Sequence, residues 1–159
     1  MTRSHAREIA VHMIFALSFG DFEAEELIQQ QLNQERFQEL EADMPLYSQY
    51  PNEKQEKYIA ALVRGVFAHG PELDDYIARY AKNWNFARIP RMAAAIMRTA
   101  MYEVLYMPDI PNAVAVNEAV EIAKNYEPQE VVSFVNGILG SFVRAEFADA
   151  PAKPEKAEE

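Results

Sequence analysis

Arginines, a histidine and a few aromatic rings are the side chains of this sequence best suited to chemistry, and that chemistry is capture of an anion. Arg3 and Arg7 stand four apart with His5 between them. On a helix both arginines project from one side of the opening turns, while Ala6, Ile9, Ala10 and Met13 turn inward. Cations at a helix N-terminus oppose the macrodipole by about a few tenths of a kcal/mol each, so their placement does not serve the helix. A phosphate partner reverses that balance, because helix N-termini and arginines both attract anions. A second cluster runs from Arg79 to Arg98, where Arg79, Lys82, Arg88, Arg91 and Arg98 occur with no Asp or Glu between them and with Tyr80, Trp84 and Phe86 interleaved. Aromatic faces beside guanidinium planes suit single-stranded RNA. Equally, Arg79 and Lys82 near a helix C-terminus complement the dipole, and Trp84 can serve as core.

The third constellation is Phe134, Asn136 and Gly137. Val131, Val132, Val135, Ile138, Leu139, Phe142 and Val143 cover one contiguous half of a helix, and Phe134 falls at the edge of that arc. A ring at a core boundary can offer one face to an unpaired base, worth about 1–3 kcal/mol. Asn136 points away from the arc. A glycine inside a helix costs up to about 1 kcal/mol relative to alanine, which implies close approach of another helix or of a ligand. Helix packing is the simpler account of Gly137.

Catalysis finds little support. With no cysteine in the chain, thiolate chemistry, disulfides and cysteine zinc sites are excluded. Glu118 lacks a histidine or second acid to complete a mechanism, and His5, His12 and His69 are scattered, with no Glu-x-x-His pair for a di-iron bundle. No phosphate-cradling glycine loop occurs. No cofactor, metal or catalytic residue is therefore expected. Arg98 and Tyr102, four apart on one face, are best explained as bracing between helical halves, with a partner surface as the alternative.

Spacings of three and four recur throughout, and no alternating strand pattern is bounded by turns, so an all-α fold is expected. Ala6, Ile9, Ala10, Met13 and Leu17 write the first helix, with Gly20 as a stop. Leu27, Ile28, Leu32, Phe37 and Leu40 predict one helix from Glu23 to Ala42. Met44 to Pro51 reads as a loop, Glu53 to His69 as a helix, and Glu72 to Lys82 as a short helix after Gly70-Pro71. Pro90, Pro111 and Pro128 open helices over Arg91–Met107, Asn112–Tyr126 and on to about Phe147. Along the Asn112–Tyr126 helix a small-residue face opposes Asn117, Glu121 and Lys124, the last two as an exposed ion pair.

The chain has 159 residues with 50% apolar content, enough for one packed domain over residues 1–147. Residues 148–159 hold Pro151, Pro154 and no apolar residue larger than alanine, and are expected to form a disordered acidic tail. No apolar run reaches membrane-spanning length, so a soluble cytoplasmic protein is expected. A net charge of −10 argues against nucleic acid until its distribution is considered. Within residues 1–12, Arg3 and Arg7 against Glu8 leave +1, so the remainder carries −11.

Five motifs fall in order: Trp84-Asn-Phe-Ala-Arg88, Ile96-Met-Arg98-Thr-Ala-Met-Tyr102-Glu103, Ile110-Pro111, Val116-Asn117-Glu118-Ala-Val-Glu121-Ile-Ala-Lys124 and Phe134-Val-Asn136-Gly137. Together with Arg3-Ser-His-Ala-Arg7-Glu-Ile-Ala-Val-His-Met-Ile-Phe15 they resemble the NusB family of bacterial transcription antitermination factors. The resemblance implies about seven helices in two three-helix halves packed across each other. It implies RNA contacts to boxA at Arg3, His5, Arg7, Phe134, Asn136 and Gly137, with Arg7 and Phe134 at one corner. It further implies a ribosomal protein acting as NusE as partner, with Arg98, Tyr102 and Glu103 as candidate contacts, and assembly with elongating RNA polymerase. Some relatives form homodimers that hide the RNA surface, and the resemblance allows one here. Ser4 and His5 replace basic residues common in the family, and Ala93 and Ala94 replace a charged pair. Two rivals remain: a protein-interaction bundle with little RNA affinity, and a relative of the RNA-binding domain of ribosomal RNA cytosine methyltransferases. The second is disfavoured by a length that leaves no room for a cofactor domain after Phe147.

Overall fold

A computed structural model describes residues 1–82, 88–148 and 153. Trp84 and Phe86 lie outside the described residues, as does all of the expected tail except Ala148 and Lys153. The described residues form eight α-helices and one short 3-10 turn, without a strand. The helices are α1 (Arg3–Leu17), α2 (Ala24–Gln31), α3 (Gln34–Glu41), α4 (Glu53–Ala68), α5 (Gly70–Tyr80), α6 (Arg91–Tyr106), α7 (Asn112–Tyr126) and α8 (Gln129–Glu146). Among the described residues no helix is long and apolar enough to cross a membrane. Two compact units result, one spanning Met1–Ala68 and the other beginning at His69.

The eighth helix comes from the segment expected to be one helix over residues 23–42. Leu32 leaves helical geometry at φ −100°, ψ 70°, and Asn33 restarts the chain. The Asn33 side chain serves both ends: Oδ1 accepts from Arg36 N at 2.8 Å, and Nδ2 donates to the Gln29 and Gln30 carbonyls at 2.9 and 3.1 Å. An asparagine cap of this kind stabilises a helix start by about 1 kcal/mol.

In the first unit α1 and α2 pack on α4. Ile9, Ala10 and Met13 of α1 and Ile59, Leu62 and Val63 of α4 are buried. The start of α4 is fixed by a reciprocal cap, with Gln55 N donating to Asn52 Oδ1 and Asn52 N to Gln55 Oε1, both at 2.9 Å. The Gln55 amide also donates to the Met1 carbonyl, tying the beginning of α1 to α4.

One titration follows from this packing. His12 shares a 2.7 Å hydrogen bond with the Tyr47 hydroxyl, and burial pushes its pKa below the usual 6.5, with Glu8 opposing. A folded pKa below the unfolded one means that the unfolded chain binds more protons between the two, so stability rises with pH there. Stability is expected to fall as pH drops through 6.5, and His12→Gln should flatten that slope in urea midpoints taken at about pH 5 and about pH 7.5. An unchanged slope would assign the dependence to other groups.

In the second unit α6 is central, with α5, α7 and α8 packed around it. Ten of its residues are buried, including Ala93, Ala94 and Ala95, as suits a helix enclosed by neighbours. Pro90, Pro111 and Pro128 occupy the N-cap positions of α6, α7 and α8 with φ of −55°, −58° and −67°. A proline has no N–H to lose at that place. Phe142 of α8, fully buried, meets the rings of Tyr76, Tyr80 and Phe147 at 5.0, 6.2 and 5.8 Å.

Candidate nucleic-acid interface

The sequence-identified residues fall in both units, and each unit gathers its own set. In the first, Thr2 caps α1, its hydroxyl accepting from His5 N at 3.1 Å, and the first turn contains no acid. The N-terminal amides and the positive end of the dipole are therefore not neutralised by a carboxylate of that turn. Arg3 is half-buried and His5 exposed. Tyr58 of α4 lies beneath both arginines, with the Arg3 guanidinium 4.4 Å and that of Arg7 5.8 Å from the ring centre. A cation over a tyrosine face is held by about 0.5–1 kcal/mol where exposed and more where desolvated. Arg3, Ala6, Lys54, Gln55 and Tyr58 line a small notch there.

The shared side of Arg3 and Arg7 is as the spacing required, but the outward projection of Arg7 is corrected. It is 1% exposed, among the largest fully buried side chains of the described residues. Position 7 follows Ala6 and precedes Ile9 and Ala10, and packing of α4 across that edge encloses it. Arg7 thus supports the ring that carries Arg3, while Arg3 and His5 face solvent.

In the second unit Phe134 is half-buried at the edge of the apolar arc, and Asn136 and Gly137 are exposed. A groove between α7 and α8 is lined by Asn117, Glu121, Lys124, Gln129, Ser133 and Asn136. It joins the Asn117 of one motif to the Asn136 of another, two amides able both to donate and to accept. The expected ion pair is there, with Lys124 Nζ 2.8 Å from Glu121 Oε1. Asn117 was legible as part of the polar side of α7, but nothing in its own helix pairs it with Asn136.

Helix packing does not explain Gly137. A Cβ built at this position meets no described atom within 4 Å, so the expectation of a tightly apposed helix is corrected. Gly137→Ala is expected to raise stability by up to about 1 kcal/mol, as alanine does in an open helix interior. If a ligand approaches the bare backbone, the same change weakens binding. A melting scan and an RNA titration of one variant read both signs; a loss of stability would show that the site is closed.

Two members of the basic cluster, Arg79 and Arg98, are paired with acids. Arg79 Nη1 lies 3.0 Å from Glu146 Oε2, and the guanidinium carbon lies over the Tyr76 ring at 4.9 Å. Hydrogen bonds from Tyr80 and then Arg79 hold the Glu146 carboxyl below its usual range. Arg98 Nε meets Asp74 Oδ1 at 2.6 Å, which joins α6 to α5 within the second unit. Tyr102 is half-buried in a ring series with His69 at 5.9 Å and Tyr106 at 5.1 Å. Glu103 is 0% exposed, so its candidacy as a partner contact is withdrawn. It lies seven residues after Ile96 and three after Ala100, on the buried stripe of α6. No group of three His, Cys, Asp or Glu able to hold a metal occurs among the described residues.

The NusB family model matches residues 4–144. The transcription antitermination protein NusB of Acetivibrio thermocellus is 38% identical over 159 residues, covering 100% of both chains. That of Symbiobacterium thermophilum is 35% identical over 144 residues, 91% of this chain and 90% of the relative. A solved structure of T. maritima NusB superposes with a TM-score of 0.75 at 28% identity, covering 91% of this chain and 92% of its own. A crystal structure of antitermination factors NusB and NusE in complex with dsRNA has the same fold, with a TM-score of 0.70 at 20% identity, covering 90% of this chain and 96% of its own.

Proposed function

Because the chain belongs to the NusB family, whose relatives carry the name of transcription antitermination proteins rather than enzymes, we propose that it is an antitermination factor that binds boxA-type single-stranded RNA. It does so together with a ribosomal protein acting as NusE, and joins elongating RNA polymerase so that premature termination is resisted. The observation that carries the RNA part is the opening of α1: Arg3 held over Tyr58 at a helix N-terminus whose first turn has no acid. Arg3 and His5 contact phosphate, and Arg7 positions the ring beneath. On α8, Phe134 stacks a base, Gly137 admits the strand close to the backbone, and Asn136 meets a base or sugar edge. The acidic remainder of the chain discourages non-specific nucleic-acid binding. Tyr102 meets the protein partner in this reading, supported by its partial exposure on α6, and Arg98 orients α6 against α5.

Filter binding of boxA RNA, with and without the NusE-type protein, tests this directly. Arg3→Glu is expected to lower affinity and to reduce the slope of log K against log salt by about 0.7, the value for one phosphate that the protein no longer neutralises. Equal affinity and slope in the variant would remove Arg3 from the interface. No RNA binding in either condition would favour the interaction-bundle alternative.

A further inference from the structure

Four backbone carbonyl oxygens converge on one point beyond the end of α6. They belong to Glu103, Val104, Met107 and Ile110, and Lys153 Nζ lies 3.2, 2.9, 3.3 and 3.0 Å from them. The sequence builds this cup with two prolines. The carbonyls of Val104 and Met107 would each look for a donor four residues on, but Pro108 and Pro111 have no N–H to give. The chain instead turns back, with Ile110 N donating to Met107 O at 3.0 Å, and brings the Ile110 carbonyl to the same point.

An ammonium has three N–H donors, so four oxygens cannot each receive a separate one. Convergent neutral oxygens around a compact charge are the coordination that replaces the water shell of a monovalent ion. The negative end of the α6 dipole points at the same place. Burial lowers the pKa of the Lys153 ammonium, and the charge of the wholly buried Glu103 only partly opposes this. A divalent ion would require several carboxylates or retained waters, and the described residues supply no such group.

We propose that the cup formed by the Glu103, Val104, Met107 and Ile110 carbonyls is a monovalent-cation site, which takes potassium or ammonium ion in competition with Lys153. The side chain of Lys153 is then a tethered stand-in for the ion, and its docking depends on which salt is present.

Competition can be read on the full chain without mutation, by the rate at which an amine-selective acylating reagent labels each lysine. Labelling of Lys153 is expected to rise severalfold when tetramethylammonium chloride is replaced by potassium chloride at equal ionic strength. Lys57, 76% exposed, should label equally in both. In Lys153→Met, which keeps the apolar stem and removes the charge, the melting temperature should be roughly 2–4 °C higher in potassium or ammonium chloride than in the tetramethylammonium salt. Lys153 labelling that is the same in both salts overturns the proposal, as does a folded variant whose melting is indifferent to the cation. If the variant does not fold, the labelling result alone decides.

Discussion

Arg7→Glu is expected to destabilise the first unit by on the order of 3–5 kcal/mol, the scale for leaving an uncompensated charge in a buried site. The side chain is 1% exposed, its guanidinium sits 5.8 Å from the Tyr58 ring, and α1 and α4 close around it. Reversing its charge there places a carboxylate against a tyrosine face, with no solvent to relax into. Urea unfolding monitored by far-UV circular dichroism gives the loss as a shift in midpoint at constant slope. Arg7→Met separates volume from charge, because it retains most of the stem and is expected to cost less than the reversal. Were Arg7→Glu to unfold at the wild-type midpoint and lose RNA affinity, Arg7 would be a direct contact after all.

Phe134→Ala is expected to weaken boxA-type RNA binding by about 1–3 kcal/mol, or about 5- to 150-fold, if its ring stacks a single base. The position permits this because Val131, Val132, Val135, Ile138 and Leu139 already supply the buried arc of α8, leaving Phe134 half-buried at its margin. Its loss should therefore cost less stability than loss of Phe142, which is fully buried among Tyr76, Tyr80 and Phe147. The informative pair is the RNA titration of Phe134→Ala beside its melting curve. Wild-type affinity would strike the ring from the interface, and Phe134→Tyr, which keeps a stacking face, should retain most of the binding.

Helix positions were most legible at the prolines that open α6, α7 and α8. Asn112–Tyr126 agrees at both ends with the expectation, because Pro111 fixes its start and Pro128 follows its end. The division of residues 23–42 was missed for a definite reason. Leu27, Ile28, Phe37 and Leu40 keep an inward side across the break, so periodicity alone joins what the Asn33 side chain separates. At the interface, spacing gave the common side of Arg3 and Arg7 but not their difference in burial. That difference comes from packing against α4, a helix that begins only at Glu53, and helix periodicity contains no distant neighbours. Glu103 was different, since the Ile96, Ala100 and Val104 stripe places it inside, and its pairing with Tyr102 in a motif obscured that. Gly137 could be settled only by knowing what surrounds it.

The ring shared by two guanidiniums bears on how tightly a flexible side chain can hold a transcript. A free surface arginine gives up roughly 1.5–2 kcal/mol of rotamer freedom when it is fixed. Arg3 lies over Tyr58, whose other cation is locked into the interior, so part of that ordering is complete when the protein folds and is not repeated at capture. If Arg3 contacts RNA as proposed, it therefore has less rotamer freedom left to lose than an arginine with no ring beneath it.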